Sequence, residues 1–142
     1  MTDAVLVLRK LATVHEHVAP VRRRRPPALA ALRADVNLQD ALAMSLLVAI
    51  QEATDIAFHI VADESWGVPS SYADSYGILP QRGVIDSALA DAMSRLVAIR
   101  NRLAHGYATV DIDRIWAEVP AGLDTLERYA TAIARFVPPP TA

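Results

Sequence analysis

The segment RNRLAHGY, Arg100 to Tyr107, brings an arginine, a histidine and a tyrosine close together in the chain. A guanidinium offers a planar fork of donors for phosphate, an imidazole moves protons near neutral pH, and a phenol supplies a hydroxyl. Together they form a metal-free set suited to phosphodiester chemistry. The same residues also have ordinary uses, as a half-buried arginine, a capping histidine and a packing tyrosine.

At about 100° per residue, Ile85, Leu89, Met93, Leu96 and Leu103 fall within roughly 80° of a helical wheel, and Arg100 lies near the middle of that arc. Asn101 and Arg102 point elsewhere, and Arg102 reads as solvated. An arginine on a packing face has three explanations. It can snorkel, pair with a buried carboxylate (Asp55 and Glu52 are candidates), or line a polar cleft that receives phosphate. His105 sits where Gly106 is expected to end the helix, among its last carbonyls. Five positions separate the two residues by about 140°, so a regular helix does not put Arg100 and His105 on one face. Tyr107 would return to the Arg100 stripe if the helix continued.

The elements that must carry this segment read as helices. Residues 3–19 form a first helix with Leu8, Leu11, Ala12 and Val18 on one stripe. Arg22 to Arg25, followed by Pro26 and Pro27, predict a loop, because like charges repel and a residue before proline avoids the helical region. A short turn through Leu29 and Leu32 follows. Asn37 is the expected N-cap of a long helix to about Asp63, with Asp40 in its first turn. Leu46, Leu47, Ile50, Ala57, Phe58 and Val61 form its apolar arc, and Glu52, Asp55 and His59 lie opposite. Ser70 or Ser71 caps a shorter helix that Pro80 kinks or ends, and Gly83 closes it. Asp86 or Ser87 starts the helix that carries Arg100. Asp111 or Asp113 opens the last helix, which runs to about Val137 with a bend at Pro120. Short links between amphipathic helices imply an all-α, up-and-down bundle of four to five main helices.

Composition agrees with one domain over residues 1–142, ending in a short Pro-rich tail at 138–142. Hydrophobic residues make up 53% and charged residues 21%, a globular balance. The absence of cysteine excludes disulfides and thiolate zinc sites. A net charge of −2 excludes a generically basic nucleic-acid binder, so any RNA contact must rest on local positive potential. Thirteen of the fourteen basic residues are arginine, and Lys10 is the one lysine. No secretory leader opens the chain, and the uncharged run between Asp40 and Glu52 is too short to span a bilayer, so a cytoplasmic protein with no membrane partner is expected.

RNRLAHGY resembles the R-x-x-x-x-H-x-Y signature of HepT toxins in the HEPN superfamily (higher eukaryotes and prokaryotes nucleotide-binding). The order LQDALAMSLLVAIQEATDIAFHIV, SSYADSYGILPQRGVI, MSRLVAIRNRLAHGYATVD extends the resemblance over about residues 28–137. It implies a HEPN bundle that forms a two-fold dimer and cuts RNA without a metal or cofactor. Arg100 and His105 match the family's catalytic pair, and Asn101 matches its polar companion. Tyr107 matches the tyrosine to which an MntA-like nucleotidyltransferase antitoxin adds AMP. The alternative is a HEPN bundle without nuclease activity that docks such a nucleotidyltransferase.

Other residues carry weaker signals. His15, Glu16 and His17 form HEH, but alternate helix positions point about 200° apart, so a solvated face is expected and no metal site. Asp55 and His59, four apart, read as a surface pair, with support of the Arg100 cleft by Asp55 as the lesser possibility. Trp66 and Trp116 read as packing anchors, and the Arg22–Arg25 run as a solvated loop.

Overall fold

Every helix but the short second one starts where an aspartate or serine side chain accepts a backbone N–H that has no partner within the helix. The computed structural model describes residues 1–105 and 111–139. Among them lie six helices and no strand: α1 (Ala4–Arg24), α2 (Leu29–Arg33), α3 (Val36–Asp63), α4 (Tyr72–Gln81), α5 (Ser87–His105) and α6 (Ile112–Phe136). Asp3, Ser71 and Asp111 cap α1, α4 and α6 through their side-chain oxygens. Asp86 accepts from the Leu89 N–H at 2.7 Å and caps α5 in the same way. The cap of α3 is Asp35, which accepts from the Leu38 N–H at 3.0 Å, and the expected cap Asn37 lies inside the first turn. Gly83, at φ 74°, turns the chain after α4, a conformation glycine adopts without a Cβ clash. Pro80 is tolerated in the last turn of α4.

The long helices alternate in direction. The Thr2 hydroxyl donates to Glu64 and Lys10 donates to Glu52, so α1 runs antiparallel to α3. Arg22 donates to Asp124 and Arg25 to the Trp116 carbonyl, which sets α6 antiparallel to α1. Arg102 meets Glu118, and Leu96 lies against Gly122, so α5 is antiparallel to α6. The expected up-and-down bundle is therefore built from α1, α3, α5 and α6, with α2 and α4 as shorter packing pieces. α3 packs against all five other helices. By length and composition α3 is apolar enough to cross a membrane, yet half of its most apolar window is buried inside the bundle, as in a central core helix.

The predicted arginine loop is a correction. α1 continues through Pro20 to Arg24, and Arg22, Arg23 and Arg24 form its last turn. Cations are favoured there by the helix's terminal carbonyls, and Asp124 and Glu127 of α6 supply counter-charge to Arg22 at 2.7 and 3.0 Å. Arg25 has a more specific role. Pro120 has no N–H, so the Trp116 carbonyl four residues earlier lacks its helical donor. The Arg25 Nη2 donates to that carbonyl at 3.1 Å, and its guanidinium lies 3.7 Å over the Trp116 ring. α6 remains one helix across Pro120. The buried stripe of α1 is also shifted from expectation: Val7, Leu11, Val14, Val18 and Val21 are buried, whereas Ala12 is exposed.

At the centre of the core, two tyrosines and a threonine each find a hydrogen-bond partner. Thr54 donates to the Ile50 carbonyl at 2.8 Å, and its Oγ1 lies 3.0 Å from the Tyr76 hydroxyl. With the threonine proton used, Tyr76 is the donor of that contact. Tyr129 donates to the Ala53 carbonyl at 2.9 Å, and its ring packs edge-on against Tyr76. Burial pushes the pKa of both phenols above its ordinary value. Above about pH 10 the unfolded chain loses these protons while the folded chain keeps them, so stability falls as pH rises. Urea unfolding midpoints should therefore drop steadily from pH 9.5 to pH 11, and Tyr76→Phe should show a shallower drop than the parent; parallel slopes would count against this origin.

Candidate functional site

Arg100 projects from a helix whose neighbouring turns are fully engaged in the core: Met93, Leu96 and Leu103 are buried, while Arg100 is only half-buried. The helix stays regular to His105, so the wheel geometry of the sequence holds. Of the three explanations for the arginine, the carboxylate pair is not the one realised. Its Nε donates to Gln51 Oε1 at 2.9 Å, and its Nη1 donates to Asn101 Oδ1 at 3.1 Å. The ring of Tyr72 lies below, with the guanidinium carbon 5.4 Å from its centroid. All of these partners are uncharged, so they orient the cation without neutralising it.

The support extends across α3 to α1. Gln51 Nε2 donates to Asp55 Oδ1 at 2.9 Å, which fixes the amide so that its oxygen faces Arg100. Lys10 lies 3.2 Å from Glu52 and 3.7 Å from Asp55, so the chain's one lysine meets both carboxylates that were candidates for pairing with the arginine. Asp55 thus bonds within this network and not with His59 as expected. It reaches Arg100 through Gln51, at second hand. Sequence reasoning did not single out Gln51. Its spacing of four from Asp55 on α3 is a signal, but only the packing of α3 on α5 shows which amide meets the arginine.

Beside the arginine lies an open groove lined by Phe58 of α3, Ser70 and Ser71 before α4, Tyr72, and Val97 and Asn101 of α5. Phe58 and Tyr72 meet edge to face at 5.4 Å, which braces the tyrosine. Tyr72 still keeps 36% of its surface exposed. The sequence reading also overlooked Tyr72, since it is the first residue of a short helix and belongs to no motif. Trp66 and Trp116 serve as expected: Trp66 packs 6.0 Å from Phe136 and Trp116 lies under Arg25. His15 and Glu16 are exposed and His17 is half-buried, as on a solvated face.

His105 is the last residue of α5 and is exposed, as is Asn101. Its turn of the helix places it away from the Arg100 stripe, so a single α5 helix does not set the two side chains on one face. Gly106 and Tyr107 lie outside the described residues. Arginine held by neutral groups, with an exposed imidazole at the end of the same helix, can bind a phosphate and exchange protons with it, provided the substrate spans both.

Comparison with known proteins agrees with this architecture. The HepT-like family, described as Ribonuclease HepT-like, matches residues 14–133. The mRNA nuclease HepT of Shewanella oneidensis is 26% identical over 128 residues, covering 90% of this chain and 96% of that protein. A solved structure of a tri-AMPylated Shewanella oneidensis HEPN toxin in complex with an MNT antitoxin superposes with a TM-score of 0.84 at 26% identity, covering 95% of this chain and 99% of the toxin chain. A crystal structure of a toxin–antitoxin with AMP-PNP gives a TM-score of 0.85 at 25% identity, over 92% of this chain and 98% of the other. With the arginine and histidine of the motif on a helix of the matching bundle, the chain belongs to the HepT-like ribonuclease family.

Proposed function

We propose that this chain is a metal-independent endoribonuclease toxin acting as a two-fold dimer, with Arg100 and His105 as its catalytic residues. The carrying observation is the arginine itself: a guanidinium oriented by Gln51, Asn101 and Tyr72, none of which cancels its charge. Such a cation stabilises the charge that builds on a phosphoryl group during cleavage. An imidazole removes the proton from the ribose 2′-hydroxyl as its oxygen attacks phosphorus. The bond from phosphorus to the 5′-oxygen breaks, and that oxygen takes a proton from a second acid. The products are a 2′,3′-cyclic phosphate and a free 5′-hydroxyl. Asn101 supports the arginine through its amide oxygen.

Two copies answer the separation of Arg100 and His105 on one helix, because a two-fold axis can set one protomer's histidine near its partner's arginine. The apolar surface of α3 supports this: Met44 is 53% exposed, and Leu47 and Val48 are only half-buried. The Shewanella toxin was solved with an MNT antitoxin and carries AMP. The matching motif here makes Tyr107 the acceptor of AMP from an MntA-like nucleotidyltransferase. A bulky anion added to the chain two residues after His105 would compete with RNA for the cation.

In cleavage assays on single-stranded RNA, Arg100→Ala and His105→Ala should each lower the rate by about a hundredfold or more. Gln51→Glu should lower it by about tenfold or more, since it sets a carboxylate against the guanidinium. Activity should persist in EDTA. Wild-type rates in His105→Ala, or loss on chelation, would overturn the mechanism. Light scattering at micromolar concentration should give twice the chain mass, and a uniform monomer would remove the dimer from the proposal.

Co-expression with the cognate nucleotidyltransferase should add one or more AMP units of roughly 329 Da each, carrying the added phosphate charge to Tyr107. Tyr107→Phe should stay unmodified and toxic in the presence of that enzyme. An unmodified Tyr107 in a neutralised, co-purified complex would instead point to steric masking.

A further inference from the structure

We infer that the groove beside Arg100 is a subsite for one unpaired RNA base, with Tyr72 as the stacking platform and Asn101 and Ser71 as donors to its polar edge. The polymer's identity rests on the ribonuclease reading; the groove's preference for a base rests on its own geometry.

Among the described residues, the aromatic side chains away from this groove are already committed elsewhere. Tyr76 and Tyr129 are sealed in the core, Trp66 packs on Phe136, and Trp116 lies under Arg25. Tyr72 is the partly exposed ring that both lines an open groove and touches the half-buried arginine. Phe58 packs against it at right angles, so the ring is braced before any ligand arrives. A braced aromatic surface stacks a base at low ordering cost, and such stacking is tolerant of base identity.

The polar lining suits the rim of a base. Asn101 Oδ1 accepts from Arg100, which leaves the amide N–H donors to the groove. Ser71 Oγ accepts from the Asp74 N–H at 3.1 Å, and its hydroxyl proton is left to donate. Ser70, by contrast, already donates to Asp74 at 3.2 Å. The groove thus sets a ring and edge donors next to a cation that contacts both Tyr72 and Asn101, as a nucleotide sets a base next to a phosphate. Duplex RNA hides its base faces, so this groove selects single-stranded segments.

The test uses the full-length protein and a fluorescein-labelled 2′-O-methyl RNA pentanucleotide, whose blocked 2′-oxygen prevents cleavage. Anisotropy titrations compare wild type, Tyr72→Ala and Tyr72→Phe against the parent oligonucleotide and five versions with one abasic position each. Tyr72→Ala should weaken binding about tenfold, and Tyr72→Phe should stay within about threefold of wild type. One abasic position should cost wild type a similar factor, and combining it with Tyr72→Ala should add nothing further. The abasic arm changes only the ligand, so a folding defect cannot imitate it. Additive losses at every position, or Tyr72→Ala binding like wild type, would overturn the subsite. A non-additive pair in a protein that leaves unmethylated RNA uncut would support the subsite while sinking the nuclease reading.

Discussion

A guanidinium sits half-buried on the packing face of α5, and the surrounding structure is arranged to hold it without cancelling its charge. A carboxylate would have been the ordinary partner for a cation in that position, and two stand nearby on α3. Lys10 of α1 lies against both, and the arginine receives instead the oxygen of a neutral amide. Asp55 orients that amide without touching the arginine in any described contact. The charge therefore remains available to an anion at the surface. An arginine in a buried ion pair would be inert toward phosphate, however similar its motif.

That arrangement needs three helices in fixed register, and the register comes from features distant from the site. The N-terminus of α1 is tied to the end of α3 by the Thr2 hydroxyl on Glu64, whose carboxyl is held below its usual range by that bond. The other end of α1 is tied to α6 by Arg22 and Arg25. The exposed ion pairs of Arg22 contribute little energy by themselves. Arg25 contributes more specifically, because it satisfies the carbonyl that Pro120 orphans and covers Trp116. Its Nε has no hydrogen-bond partner, the one such atom among the buried side-chain polar atoms of the described residues. With both ends of α1 held, Lys10 is delivered to the middle of α3.

Aromatic residues divide between two physical roles. The buried tyrosines close a hydrogen-bonded core in which no phenol can ionise readily. Tyr72 lies at the surface, where its ring meets a cation and packs at right angles to Phe58. The relatives in this family include a nuclease of mRNA and a toxin bearing AMP. Both RNA and AMP present a base beside a phosphate, and the pairing of Tyr72 with Arg100 offers a matching pair of surfaces.

The helices and the Arg100 motif were legible in the sequence because both are local. Apolar periodicity and short polar caps placed five helix starts within about two residues, and the spacing of RNRLAHGY put an arginine in an apolar arc. The helical path of Arg22–Arg24 was not legible, since local repulsion and the following prolines argue for a loop, while the carboxylates of Asp124 and Glu127 that meet Arg22 come from the distant α6. Nor was the choice of Gln51 over Asp55 and Glu52 as the arginine's partner. All three lie on one stretch of α3, and a sequence carries no information about which amide a neighbouring helix will meet until packing sets the rotation of α3 against α5. Tyr72 joined the site for the same reason: it is far from Arg100 in the chain, and only the seating of α4 on α3 and α5 brings its ring beneath the guanidinium.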